Sequence, residues 1–483
     1  MVSKRTMIAR NGAGRLALVL FLLIGSVAQG SEPDAAPTGP SLANDPVLSD
    51  FVRDALATRP EMARAQAEVD AERERVPQAR ALPDPMLSFG IQNDGFRGIQ
   101  IGKMEGSFVS IMASQTFPWH GKRGLRGDVT ALGARQAEAD ADRARLTVQA
   151  EVARAYLDLL LARDQLALLA RLEDLWSQAE GMARVRYETG DGAQSDLLRA
   201  QLERSRLKQR RWALAAEEQR RIAVLNRLRG HTVDEAVATS RSLADLPDPA
   251  VPEVAAAWAD AETRSPELRR WQLDQERSSR LTDLARKDTW PDLTVSAAVM
   301  PRGGDFPPMW QAGLSFPLPA WAGSKQSRAV AEGRLRETAS LQGAEATRQL
   351  LRQRVAERVA LLDALVNTNR LYRSELLIQS EVTVTSTMAQ YQVGRIAFAS
   401  VLEAITGHVA DLNAYLESAA AAQRLDIAQA EVSLDADAGL AAAGMSGSPV
   451  PGAGAMGAGS SPSAAEGSPA AAGGQGPGSM KRM

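Results

Sequence analysis

Two stretches of the chain place apolar residues at intervals of three and four over lengths that a globular domain has no use for. In the first, Val148, Val152, Ala155, Leu159, Leu166, Leu169 and Leu172 form one broad stripe, the pattern of a helix with one buried face. No proline occurs between Pro118 and Pro247, nor between Pro319 and Pro449. Both stretches are rich in Ala, Leu, Arg, Glu and Gln, which favour helix strongly. Each is predicted as a long helix broken once, near Gly190 and near Gly394. From about residue 125 to 187 the first arm would run on the order of 95 Å at 1.5 Å per residue. Shorter, charged, Ala-rich helices are predicted over about residues 46–80 and 252–287.

Between each shorter helix and the long one that follows, the period changes toward alternation. Residues 86–92 and 108–117 are candidate strands joined by a Gly-rich loop containing Asp94-Gly95, and residues 293–300 and 310–316 are their later counterparts. The alternation is imperfect in each strand. The recurrence of the hairpin at equivalent points supports the assignment more than any one strand does.

The recurrence is part of a longer repeat. Ala57-Thr58-Arg59-Pro60-Glu61-Met62 returns as Glu262-Thr263-Arg264-Ser265-Pro266-Glu267-Leu268, and Leu82-Pro83-Asp84-Pro85 returns in altered form as Trp290-Pro291-Asp292-Leu293. Phe117-Pro118 returns as Phe316-Pro317, and Tyr187-Glu188-Thr189-Gly190 as Tyr391-Gln392-Val393-Gly394. Four matches in one order, offset by roughly two hundred residues, mark an internal duplication. The predicted organisation is a first structural repeat over residues 31–245 with its hairpin at 86–117, a Pro-rich linker at 246–252, and a second repeat over 253–436 with its hairpin at 293–317.

Composition then narrows the class. The 483 residues carry a net charge of -2 and no cysteine, so no basic field suggests a nucleic-acid partner and no thiolate chemistry is available. Lys4, Arg5, Arg10 and Arg15 precede an apolar run over residues 16–28, and Ala28-Gln29-Gly30 offers a small-residue cleavage site. Residues 1–30 therefore read as a secretory signal peptide. Residues 437–483, dominated by Gly, Ala, Ser and Pro, are expected to be disordered. His120, His231 and His408 are far apart, with no companion at metal-ligand spacing. Gly190-Asp191-Gly192 lacks the lysine and context of a phosphate loop. No nucleophile-base pair is evident, so neither catalysis, a cofactor nor a resident metal is expected. The basic run at residues 204–211 reads as the solvated face of a helix.

Four strands cannot close a barrel, and their open edges invite association. Three copies would supply twelve, an even number within the outer-membrane range. Trp119, Trp290, Trp310 and Trp321 sit at or near strand ends, where the aromatic girdle of a membrane barrel belongs.

The twofold series of helix, hairpin, long helix, Gly break and helix resembles the TolC family of outer-membrane efflux proteins. Within that family, Gln115-Thr116-Phe117-Pro118-Trp119 followed by Gly121-Lys122-Arg123 is most similar to the branch that serves heavy-metal exporters of the CzcC kind. The resemblance implies a mainly α chain with a small β part, four strands per subunit completing a twelve-stranded transmembrane barrel in a homotrimer, continued by a long α-helical periplasmic barrel. It further implies a passive exit duct for small solutes or heavy-metal cations, joined to a periplasmic adaptor and an inner-membrane pump. The Gly breaks would be turns at the periplasmic tip. Tyr187, Gly190, Asp196 and Leu197 fit the family's tip pattern, as do Tyr391, Gly394, Val401 and Leu402, but Ser400 stands where Asp is usual. Ser195 or Asp196 is expected to cap the helix after the first turn. Arg395 and Glu403 lie near the second, and Asp196 with Glu403 is the candidate selectivity pair. An exit duct for secreted proteins of the type I kind shares every one of these features. A periplasmic coiled-coil adaptor or scaffold explains the helices and leaves the hairpins unexplained.

Overall fold

The computed structural model describes Leu42, residues 45–239 and residues 241–436; the signal-peptide and tail assignments lie outside the described residues. The chain begins with α1 (Pro46–Thr58) and α2 (Pro60–Arg80), then β1 (Met86–Gln92) and β2 (Phe108–Phe117). Next come α3 (Lys122–Glu188) and α4 (Gln194–Arg229). The second series is α5 (Val254–Arg264), α6 (Pro266–Lys287), β3 (Leu293–Met300), β4 (Met309–Ser315), α7 (Gln326–Leu371), α8 (Leu377–Gln392) and α9 (Phe398–Glu431).

Each shorter helix expected to be continuous is in fact two. Pro60 has no N–H to give and disfavours the helical conformation of its predecessor, so Arg59 is extended, with φ -69° and ψ 130°, and a new helix starts with proline at its first position. Pro266 does the same to Ser265, whose hydroxyl then accepts from the Leu268 N–H at 3.3 Å. The first long arm ends at Gly230, in the left-handed conformation at φ 73°, and among the described residues no α-helix intervenes before α5. The second arm passes from α7 to α8 through a π-helical turn, Tyr372–Leu376, without breaking.

With 67 residues, α3 spans about 100 Å. Its middle packs with α1, the end of α4 and part of α9 around Tyr156, Leu157, Leu159 and Leu160, all buried. Nearer its C-terminus, α3 joins α4, α8 and α9 around Leu172, Trp176, Tyr391, Phe398 and Ile405. Two short turns close that far end, at residues 189–193 and 393–397.

The other end carries one four-stranded antiparallel sheet in the order β1-β2-β3-β4. Its register sorts the faces. Phe89, Ile111, Val299 and Trp310 line up across the four strands, and with Leu87, Ile91, Val295 and Leu314 they make one apolar face that is almost wholly exposed. Ser88, Ser110, Ser114, Thr116, Thr294, Ser296 and Gln311 fall on the other face. None of the four strands contains a charged residue. Among the described residues, β1 and β4 each keep one edge unpaired.

Candidate functional site

At the helical end, the two turns meet. Gly190 and Gly394 hold φ values of 83° and 78°, a region that costs any residue with a Cβ. They let the N–H groups of Asp191 and Arg395 return to the carbonyls of Arg186 and Gln390, at 2.9 and 3.0 Å, the hydrogen bonding of a helix that stops in a left-handed residue. The expected side-chain cap of α4 is absent. Ala193 occupies the cap position with no side-chain hydrogen bond, because Ser195 and Asp196 already lie inside the first helical turn.

Asp196 points elsewhere. Its Oδ2 accepts from the Tyr391 hydroxyl at 3.4 Å, a long contact that links α4 to α8. The Tyr391 ring is buried, packed edge-on against Phe398 at 5.3 Å between centroids. Arg186 donates through Nη1 to the Tyr391 carbonyl at 2.8 Å, and its guanidinium lies 4.7 Å from the Tyr391 ring centroid. Its Nη2 donates to the Asp191 carbonyl at 3.0 Å. One arginine therefore holds both turns. Burial pushes the Tyr391 phenol above its ordinary range and the Asp196 charge adds to this, while Arg186 opposes them.

The structure thus brings together Asp196, Tyr391, Gly190 and Gly394 of the residues singled out from sequence, and it adds Arg186. The signal for Arg186 was thin, since a basic residue in the last turn of a helix is commonplace. Tyr187 is exposed at 44% and does not share the role of its counterpart. Arg395 and Glu403 are exposed, and Glu403 does not join Asp196 in a pair. Farther up the bundle, the Glu180 side chain is buried and takes Arg184 and Arg204 as partners, tying α3 to α4. The Arg204 hydrogen bond holds its carboxyl below the ordinary range against the opposing effect of desolvation. Among the described residues, no group of three or more His, Cys, Asp and Glu side chains could hold a metal ion.

At the sheet end, Trp119 and Trp290 stack at 5.0 Å with an interplanar angle of 11°. One follows β2 and the other precedes β3, where strands meet helices. Beneath them the buried Lys122 ammonium donates to Asp292 Oδ1 and to the Trp290 carbonyl, both at 2.8 Å, with Asp288 at 3.3 Å. Trp321 is exposed beyond β4 at the same end of the strands, and Trp310 is exposed on the apolar face near the loop end. Large rings therefore flank the apolar band at both margins.

A long helical rod with two end turns, surmounted by a sheet apolar on one face and hydroxyl-rich on the other, is an arrangement this chain shares with solved outer-membrane channels. The outer membrane protein VceC from Vibrio cholerae aligns at 17% identity with a TM-score of 0.66, covering 82% of this chain and 98% of that one. The outer membrane channel MtrE of Neisseria gonorrhoeae, in its open state, aligns at 17% identity and 0.66, covering 85% and 95%. Residues 51–231 match the family described as Outer membrane efflux protein. Protein CyaE of Bordetella pertussis is 32% identical over 198 residues, which is 39% of this chain and 41% of CyaE. Both structural likenesses are likenesses of fold.

Proposed function

We propose that this chain is one subunit of the exit duct of a tripartite export system. Three copies join their open β1 and β4 edges into a closed twelve-stranded barrel, and their helices form a tunnel through the periplasm. The observation that carries this reading is the sheet: an apolar face, a polar face, no charge on any strand, and an edge left open on either side. Only a closed sheet satisfies its backbone in hydrocarbon, and the polar face then lines water. The duct is read as a passive path. An inner-membrane transporter supplies the work and a periplasmic adaptor grips the helical end. The cargo is read as small solutes or heavy-metal cations, the latter from the Gln115–Trp119 stretch and its Gly121-Lys122-Arg123 sequel.

The paired turns are the proposed gate. Arg186, Tyr391 and Asp196 pin α8 to the α3–α4 hairpin, and the duct opens when these contacts part. Tyr187, Gly190, Gly394, Arg395 and Glu403 shape the rim, while Trp119, Trp290, Trp310 and Trp321 set the depth of the barrel in lipid. Planar-bilayer recording of the detergent-purified protein tests both parts. Discrete channels from a trimer, with open probability raised in Arg186→Leu, support duct and gate. Channels indifferent to Arg186→Leu remove the gate and keep the duct. A water-soluble monomer without channels removes the duct.

A further inference from the structure

A cavity of about 370 Å³ opens where α1, α3 and α9 meet. Leu48 and Val52 of α1, Leu146, Ala150 and Ala153 of α3, and Ile427 of α9 give it apolar walls. Three of its lining residues are charged: Arg264, Asp426 and Glu431. Two of these are already engaged. Arg264 pairs with Asp260 at 2.8 Å and donates to the Ala430 carbonyl at 2.6 Å, and Glu431 pairs with Arg154. Asp426 is left over. Among the described residues its carboxylate has neither a hydrogen-bond donor nor an ion pair, and burial pushes the carboxyl above its ordinary range with no opposing charge nearby.

We propose that this cavity binds a small organic cation, an ammonium carried on a compact apolar body, with its charge on Asp426 and its body against α1 and α3. A half-buried carboxylate without a partner is costly, and an ammonium brings both the opposite charge and the N–H donors that it lacks. The apolar walls then cover the rest of the molecule. The volume falls within the roughly 300–1,000 Å³ of small-molecule sites, which are mostly apolar with a few placed polar groups. A hard metal ion would want about six oxygen ligands, and among the described residues no group of three or more His, Cys, Asp and Glu side chains could hold one. An anion would meet the charge of Asp426 unscreened. The inference does not rest on the duct reading, because the cavity lies within one chain.

Equilibrium dialysis of the full chain in detergent at neutral pH tests the site, with adamantylammonium as the probe, uncharged adamantanol as its reference and empty micelles as the blank. The unaltered protein is expected to bind the cation at least about tenfold more tightly than the alcohol, the scale of a hydrogen bond to a charged group, and Asp426→Asn to erase that preference. No retention of the cation above the blank, equal binding of the two probes, or a preference that survives Asp426→Asn overturns the proposal. Asp426→Asn removes an uncompensated charge and is expected to melt no lower than the parent. Should it nevertheless fail to fold, Ser49→Trp reads the same cavity. Ser49 is an exposed lining residue in the first turn of α1, so an indole there fills the space and is expected to weaken cation binding at least about tenfold. Unchanged binding by Ser49→Trp overturns the proposal.

Discussion

The two helix turns share a backbone and differ in what their tyrosines do. Both place glycine at positive φ after a Tyr-x-x-Gly sequence. Tyr391 is then driven into the bundle against Phe398 under Arg186, while Tyr187 is left in solvent. The turns agree in backbone while their side chains differ. The second turn became the one that the first turn holds.

The contrast is broken most severely at the tyrosines. Tyr391→Ala, which removes a buried ring, is expected to cost about 3–5 kcal/mol, and Tyr187→Ala to stay within about 0.5 kcal/mol; denaturant unfolding followed by circular dichroism measures both. Equal costs would show that burial does not separate the turns. Next in size, Gly190→Ala and Gly394→Ala each force a left-handed alanine at about 1–2 kcal/mol, and their near-equality is the control that the backbones are alike.

Glu180→Gln sharpens the picture through pH. The folded carboxyl is held below its ordinary value of 4.5, so its pairing stabilises fully above that value and is lost as pH falls through the depressed one. In the variant this component of acid sensitivity is absent. At neutral pH the substitution costs about 1–2 kcal/mol, the scale of a hydrogen bond to a charged group. A variant that loses stability below pH 4.5 as steeply as the parent would contradict the assignment. The smallest effect is expected from Tyr391→Phe. Its long contact to Asp196 contributes about 0.5 kcal/mol or less to stability, so open probability is the more sensitive readout.

Much of the fold is legible in the sequence because it rests on simple periodicities. The absence of proline and the stripe from Val148 to Leu172 announce α3, and the recurrence of hairpin signals locates four strands that individually alternate poorly. The interruptions at Arg59 and Ser265 were equally legible in principle. Pro60 and Pro266 stood in view as part of the repeat, and a proline opening a helix reads differently from one inside it. The candidate site is another matter. Asp196 suggested a cap because it follows a glycine turn, whereas its partner is a tyrosine 195 positions away. Such pairings are set by how helices cross, and no local pattern records them. The role of Arg186 was hidden for the same reason, and the burial of Glu180 could not be told from the many exposed carboxylates around it.

The open edges of β1 and β4 also constrain the birth of the molecule. A lone chain cannot enter hydrocarbon, since each unpaired backbone group would remain unsatisfied there, and it cannot stay long in water with Phe89, Ile91 and Trp310 bare. In the proposed duct, association and membrane entry would therefore be one event, with a rate that rises faster than in proportion to the concentration of chains.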